Sequence, residues 1–290
     1  MQNNVLLGIG LMVVTTFMFS TMDGVSRYLA ENNNVFTLVT MRYWFIAIVI
    51  AITCLFVKDS FQKVLYTKQP FTQFSRGLIL SLNNCLVVYT FTLLGLVETH
   101  AIIACYPLIV AGLSVPFLGE KFGWRRWTAI FIGFVGVIII LRPTTNVISE
   151  GAIYALVGAI MFAVYLILTR YVSRLDKAIT SFFWAGIGGS VTMTIISFFI
   201  WENILKEDFL WLLIMCVLSA SSHFMMVKTL QVAEASVIQP FSYLQLVFGS
   251  IIGVTIFSES IDLMIVVGVT IVIGAGLFTA WREYIKKHSI

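Results

Sequence analysis

Apolar runs of about twenty residues alternate with short polar connections along this chain, ten times over. The runs are Val5–Met22, Val35–Val57, Leu78–Leu96, Thr99–Leu118, Trp124–Leu141, Ala152–Leu168, Phe182–Trp201, Phe209–Val227, Ser236–Phe257 and Leu263–Trp281. A helix rises about 1.5 Å per residue and a bilayer core is about 30 Å thick, so each run is long enough to cross as a helix. Trp124–Leu141 is short, but it ends on Arg142 and Pro143, which suit an interfacial stop. The pattern predicts an all-α integral membrane protein of ten transmembrane helices.

Charge orients the bundle. With the N-terminus in the cytoplasm, the inner connections hold Lys58, Lys63, Lys68 and Arg76; Lys121, Arg125 and Arg126; Arg170, Arg174 and Lys177; Lys228; and Arg282, Lys286 and Lys287. The outer connections hold Arg27, Arg142 and Lys206, and Arg42 falls within the second run. Fourteen of the eighteen Lys and Arg thus fall on one side and three on the other. Positive charge marks the cytoplasmic face, so both termini are expected there, after an even number of crossings.

Composition narrows the class further. The chain is 59% hydrophobic and 11% charged, against about 25% charged in soluble domains. The longest polar connection, from Lys58 to Arg76, is too short to fold alone. The net charge of +4 lies on the inner rim and reports topology, with no implication of nucleic-acid binding. Residues 1–4 lack a basic segment and Val5–Met22 is followed by Asp23 and Arg27, so no cleavable secretory signal is expected. Cys54, Cys85, Cys105 and Cys216 all fall in apolar runs without metal-site or disulfide spacing, as small hydrophobes do. No HExxH, GxSxG, P-loop or TVGYG pattern occurs, and no cofactor is expected.

The two halves carry traces of a repeat. Glu98, Tyr106, Pro107 and Glu120 span one apolar run; Glu234, Pro240, Tyr243 and Glu259 span another. The Glu-to-Glu intervals are 22 and 25 residues, and each closing Glu precedes a run with two glycines, Gly133 and Gly136 or Gly274 and Gly276. Two repeats are expected, over 1–145 and 150–290. Five helices per repeat force opposite orientations, the inverted arrangement that lets a central site open to either side. Gly249–Gly253 and Gly186–Ser190 have the small-residue spacing of close helix packing.

Polar groups within the runs need a partner or a wet cavity. Asn83 and Asn84 sit in the third run, Tyr106 and Pro107 in the fourth, Ser219 to His223 in the eighth, and Gln239, Pro240, Tyr243 and Gln245 in the ninth. Four helices thus present hydrogen-bonding groups at similar depth. Asn83, Asn84, Tyr106, His223, Gln239 and Tyr243 are the candidate substrate-binding residues. Interhelical bonds serve the asparagines equally well, and His223 is as compatible with a structural role as with a ligand or proton-carrying one. Tyr243 and Gln245, two apart, should point to different helix faces. Asp23 and Arg27, spaced i,i+4 near the outer end of the first helix, can pair with each other or with Arg42, as an ion pair or gate ahead of substrate contact. Glu98 and Glu234 open their helices, where the dipole favours a carboxylate. Protons are the candidate coupling ion through His223; uniport or exchange without a titrating residue is equally compatible with so few buried charges.

The whole chain resembles the drug/metabolite transporter superfamily in its EamA branch of ten-helix carriers. The resemblance rests on Gly119 to Trp127 (GEKFGWRRW), Gly133 with Gly136, Leu141 to Pro143, Pro240 to Val247 (PFSYLQLV) and Phe257 to Glu259, and on arginines at positions 42 and 76. Ser258 stands where a Gly is usual. The resemblance implies two EamA repeats around a central cavity, with secondary transport of a small metabolite across a bacterial inner membrane. It implies amino acids, nucleobases, riboflavin or S-adenosylmethionine as cargo, the last two most similar in feel, with no residue singling out either. A membrane enzyme acting on lipid or isoprenoid is the alternative; it would need a carboxylate cluster or nucleophile–base set.

Overall fold

The computed structural model describes residues 5–56, 65–119, 123–141, 149–172, 175–232 and 239–288. Ten α-helices and two short 3-10 turns, with no strand, make up the described residues. The helices are α1 (Val5–Ala30), α2 (Val35–Phe56), α3 (Pro70–Ile103), α4 (Tyr106–Leu118), α5 (Trp124–Leu141), α6 (Glu150–Val172), α7 (Ala178–Ile200), α8 (Phe209–Val232), α9 (Leu244–Phe257) and α10 (Leu263–His288). The 3-10 turns, Lys206–Asp208 and Gln239–Tyr243, lead into α8 and α9. Six helices are long and apolar enough to cross a membrane, and four shorter apolar helices accompany them.

Most helices overlap the apolar runs, but the third and fourth divide differently. α3 starts at Pro70 and counts 34 residues, which as one straight rod would measure about 51 Å. It is not one rod. Gly95 takes φ 79°, ψ −178°, a non-helical conformation favourable to glycine. Across it the chain folds back: the rings of Phe91 and His100 stack at 5.4 Å, although nine residues of unbroken helix would set them about 14 Å apart. α3 is therefore a hairpin of two arms. The second arm stops at Ile103, and the same direction resumes in α4 after Ala104 and Cys105, with Pro107 in its first turn. Left-handed residues end two helices, Gly119 after α4 and Ser258 after α9.

Packing pairs α5 with α10, α3 with α6 and α7, α1 with α8 and α9, α2 with α7 and α8, and α4 with α6. The α3–α7 crossing brings backbone to backbone. A Cβ on Gly77 would lie 2.7 Å from the Ala185 carbonyl oxygen and 2.8 Å from the Gly188 Cα. Gly249 and Gly253 of α9 seat the second arm of α3, against His100 and against Val97 with Glu259 respectively. Cys85, Cys105 and Cys216 are buried free thiols; Cys54 lies outside the residues whose side chains are described.

The bundle wears its apolar side chains outward: Phe198, Phe199, Phe131 and Leu263 are among its most exposed residues. Hydroxyls lie inside, and many bond their own helix. Thr15 donates to the Leu11 carbonyl at 2.7 Å, Ser26 to Met22 at 2.8 Å and Thr90 to Leu86 at 2.8 Å. This satisfies polar groups where lipid supplies no partner.

Candidate substrate cavity

One cavity, enclosing about 1510 Å³ of free space with its open mouth included, runs between α1, α2, α3, α4, α6, α7, α8 and α9. Among its described lining residues Asp23 is the one carboxylate and Arg76 the one guanidinium. They lie toward opposite ends. Arg76 is fifteen residues from Phe91 on the first arm of α3, about 22 Å of helix, and Phe91 stacks on His100, which meets Asp23.

At the Asp23 end three elements are tied together. His100 Nε2 lies 3.1 Å from Asp23 Oδ2, and Gln245 Nε2 donates to the same oxygen at 3.1 Å. His100 Nδ1 lies 2.8 Å from the Leu96 carbonyl oxygen. One turn further along α1, Arg27 pairs with Glu259 and lies 4.1 Å over the Phe257 ring. The Glu259 carboxylate also accepts the N–H groups of Leu96 at 2.8 Å and Val97 at 2.7 Å. Those are orphan donors at the start of the second arm, where dipole and hydrogen bonds both favour an anion. Arg27 and Asp23 thus each bond elsewhere, which replaces the mutual pairing expected from their i,i+4 spacing. The carboxylate bonded to these N–H groups is Glu259, supplied from the far half of the chain. Glu234 lies outside the described residues.

At the other end Arg76, 2% exposed, donates from Nε to Thr169 Oγ1 at 3.0 Å and from Nη1 to Gln73 Oε1. Its guanidinium sits 5.4 Å from the Tyr165 ring centre. Gln73 Nε2 donates to Asp176 at 2.8 Å and to Ser181 Oγ at 3.1 Å. This network ties α3 to α6, α7 and the turn before α7.

Aromatic rings line the middle: Phe19, Tyr43, Tyr106, Phe162, Tyr165 and Tyr243. Of the six residues expected to bind substrate, Asn83, Asn84, Tyr106, His223 and Tyr243 border this cavity. Gln239 opens a 3-10 turn, and its side chain lies outside those described. Asn84 does both things foreseen for it, lining the cavity and donating to Tyr43 Oη of α2 at 2.9 Å. Asn83 Oδ1 and Tyr243 Oη are buried without a hydrogen-bond partner among the described residues. Tyr106 meets Phe162 edge-on at 4.9 Å, and His223 meets Phe19 edge-on at 5.1 Å. Tyr243 and Gln245 do point apart, Tyr243 toward Gly276 and Gln245 toward Asp23, yet both border the cavity because it wraps the start of α9.

Arg42 is 1% exposed, and its Nε and Nη2 have no hydrogen-bond partner among the described residues. It adjoins cavity-lining Tyr43 on α2 and is itself outside the lining. Sequence reasoning passed over His100 and Tyr165 and named Arg76 and Gln245 without counting them among the substrate-binding residues. A polar residue near the end of an apolar run was the signal available for His100 and Arg76, but ends of runs are where polar residues are ordinary.

Together, a multi-helix apolar exterior and an open cavity lined by apolar, aromatic and a few polar groups define a polytopic membrane protein with room for a small molecule. The EamA-like transporter family matches residues 6–142 and again 149–281. The chain belongs to this family and is a small-molecule transporter of the EamA type; the alternative of a membrane enzyme is set aside by that membership. An S-adenosylmethionine uptake transporter of Rickettsia felis is 28% identical over 96% of this chain and 94% of the relative. One from Rickettsia prowazekii is 27% identical over 90% and 88%. A riboflavin transporter of Rhizobium johnstonii is 21% identical over 96% and 92%. A crystal structure of a protein shares the fold with a TM-score of 0.66 at 13% identity, covering 94% of this chain and 96% of that chain.

Proposed function

We propose that this chain is a secondary carrier that moves a cationic or zwitterionic metabolite bearing an aromatic ring, of the S-adenosylmethionine type, across a bacterial inner membrane by alternating access. The observation that carries the reading is the polarity of the cavity. Asp23 offers a carboxylate near one end, Arg76 a guanidinium near the other, and rings line the space between. A substrate with a cationic centre, a carboxylate and a flat heterocycle is complementary to that order of groups. Asn83 Oδ1, without a hydrogen-bond partner among the described residues, is placed on the cavity wall to bond a polar atom of such a substrate. The Rickettsia relatives named for S-adenosylmethionine support the same class.

The test is counterflow in liposomes. Labelled S-adenosylmethionine should exchange saturably, without chemical change, and Asp23→Ala and Arg76→Ala should each weaken apparent affinity about tenfold or more, as lost bonds to charged groups of about 1.5–3 kcal/mol require. Unchanged affinity in both variants would remove these residues from the site. Riboflavin exchange in place of S-adenosylmethionine would transfer the cargo to the flavin class.

For topology we infer ten crossings, the hairpin α3 supplying the third and part of the fourth, with both termini cytoplasmic and two inverted repeats. The charge bias supports the orientation, and the two family matches support the division into halves. Helix packing supports a two-fold relation between the halves, which five helices per half would make an inversion. Exchanging the halves turns α1–α8 into α6–α3, α1–α9 into α6–α4 and α2–α8 into α7–α3, while α2–α7 and α5–α10 map onto themselves, and every one of these contacts is present. Reporter fusions after Asn34, Glu98, Asn146, Asn203 and Ser260 are expected to read external. A cytoplasmic signal at Asn146 would end the inverted-repeat reading.

A further inference from the structure

The contact between Asp23 and His100 carries a requirement of its own. Both residues line the cavity and both are buried, at 7% and 6% exposure. His100 Nδ1 faces the Leu96 carbonyl oxygen at 2.8 Å, and a carbonyl only accepts, so Nδ1 carries a hydrogen. Nε2 faces the Asp23 carboxylate at 3.1 Å. With Nδ1 already the donor, that second contact is a hydrogen bond only if a further proton lies between Nε2 and Oδ2. Remove it and a nitrogen lone pair confronts a carboxylate. Phe91 stacked on one face of the ring and Gly249 packed close to it hold His100 in this orientation.

We propose that the Asp23–His100 pair is the carrier's proton-binding site, and that a proton and the cationic group of the substrate compete for the Asp23 carboxylate. This rests on the cationic-substrate reading above. When the cation takes Asp23, the shared proton leaves Nε2 for water in the cavity, His100 remains as the neutral Nδ1–H form, and one of the ties between α1 and the second arm of α3 is lost. One proton is exchanged for one cation, so transport is a proton antiport. The charged and titratable groups around this contact are Arg27 and Glu259, paired with each other one turn away, His223, which lies against Phe19 one turn before Asp23 on α1, and Glu98, two residues before His100 on the same arm.

Three measurements decide it. Counterflow of S-adenosylmethionine at equal pH reads the carrier alone. Net uptake under an inside-acid gradient, with the membrane potential clamped at zero, reads the coupling. The native protein should accumulate the label about tenfold per pH unit, since one unit is one decade of proton activity and one proton exchanges for one monocation; His100→Gln should bring that ratio to about one. A native protein that runs counterflow and ignores the gradient overturns the proton site and leaves the substrate reading intact. A gradient response lost in His223→Gln and kept in His100→Gln overturns it as well. A native protein with no counterflow sinks the substrate reading, and the proton site is then decided without substrate. Infrared difference spectra of the chain in nanodiscs between acid and alkaline pH should show an imidazole and a carboxylate band that change together, both lost in Asp23→Asn and in His100→Gln. Bands that respond separately, or survive both substitutions, overturn the site.

Discussion

Glu259→Ala is expected to lower the stability of the folded chain by about 3–5 kcal/mol, the cost of stranding one member of a buried ion pair. Glu259 and Arg27 expose only 12% and 16% of their side chains, so water can replace little of what is lost. The substitution also frees the Leu96 and Val97 N–H groups at the turn of the α3 hairpin, each bonded to a Glu259 oxygen within 2.8 Å. Glu259→Gln should fall between native and Ala, because its amide oxygen can accept an N–H but carries no charge for Arg27. Arg27→Met added to Glu259→Ala should recover part of the loss by removing the stranded cation. Equilibrium unfolding in mixed micelles measures all three. Glu259→Ala at native stability would show that the pair contributes nothing and that α9 is anchored to the hairpin by packing alone.

The second large effect is steric. Gly77→Ala should cost more than about 3 kcal/mol, beyond the usual range for overpacking, because the obstacles are backbone atoms. The added methyl would lie 2.7 Å from the Ala185 carbonyl oxygen, 2.8 Å from the Gly188 Cα and 2.9 Å from the Gly189 nitrogen, and none of these can turn aside as a side chain does. α3 and α7 would have to part, taking Gln73 away from Ser181. Gly10→Ala is the control: nothing lies within 4 Å of its would-be methyl, and the change should stay within about 0.5 kcal/mol. Equal melting temperatures for the two variants would refute the close α3–α7 crossing.

Hydropathy made the number and placement of the helices legible, since lipid and a dry interior both demand long apolar runs. It misjudged their ends, for a reason visible in particular residues. Pro70 to Arg76 reads as a polar connection, yet it is the first two turns of α3, because Gln73 and Arg76 are satisfied by Asp176, Ser181 and Thr169 from elsewhere in the chain. Asp23 and Arg27 likewise read as the end of the first run, and α1 continues past them because His100, Gln245 and Glu259 supply their partners. Polar residues in mid-run pointed toward a cavity, and Asn83, Asn84, Tyr106, His223 and Tyr243 do border one. His100 could not be singled out from sequence: its partner Asp23 is 77 positions away. The turn at Gly95 was legible to within a few residues, since the third run ends at Leu96 and the fourth begins at Thr99.

The networks at the two ends of the cavity share one helix. Asp23, Arg27, His100 and Glu259 hold the second arm of α3 to α1 and the start and end of α9, whereas Arg76 and Gln73 hold its first arm to α6 and α7. Both networks are closed in this structure, so opening the cavity to either side would break one and leave the other, and the hairpin would carry the balance between the two facing states. About 5.5 kcal/mol separates a population of 1:99 from its reverse, comparable with a single buried ion pair. Substitutions at one end should therefore act on affinity at the other without touching it. The same chain could be biased toward either facing state by one residue at either end of α3.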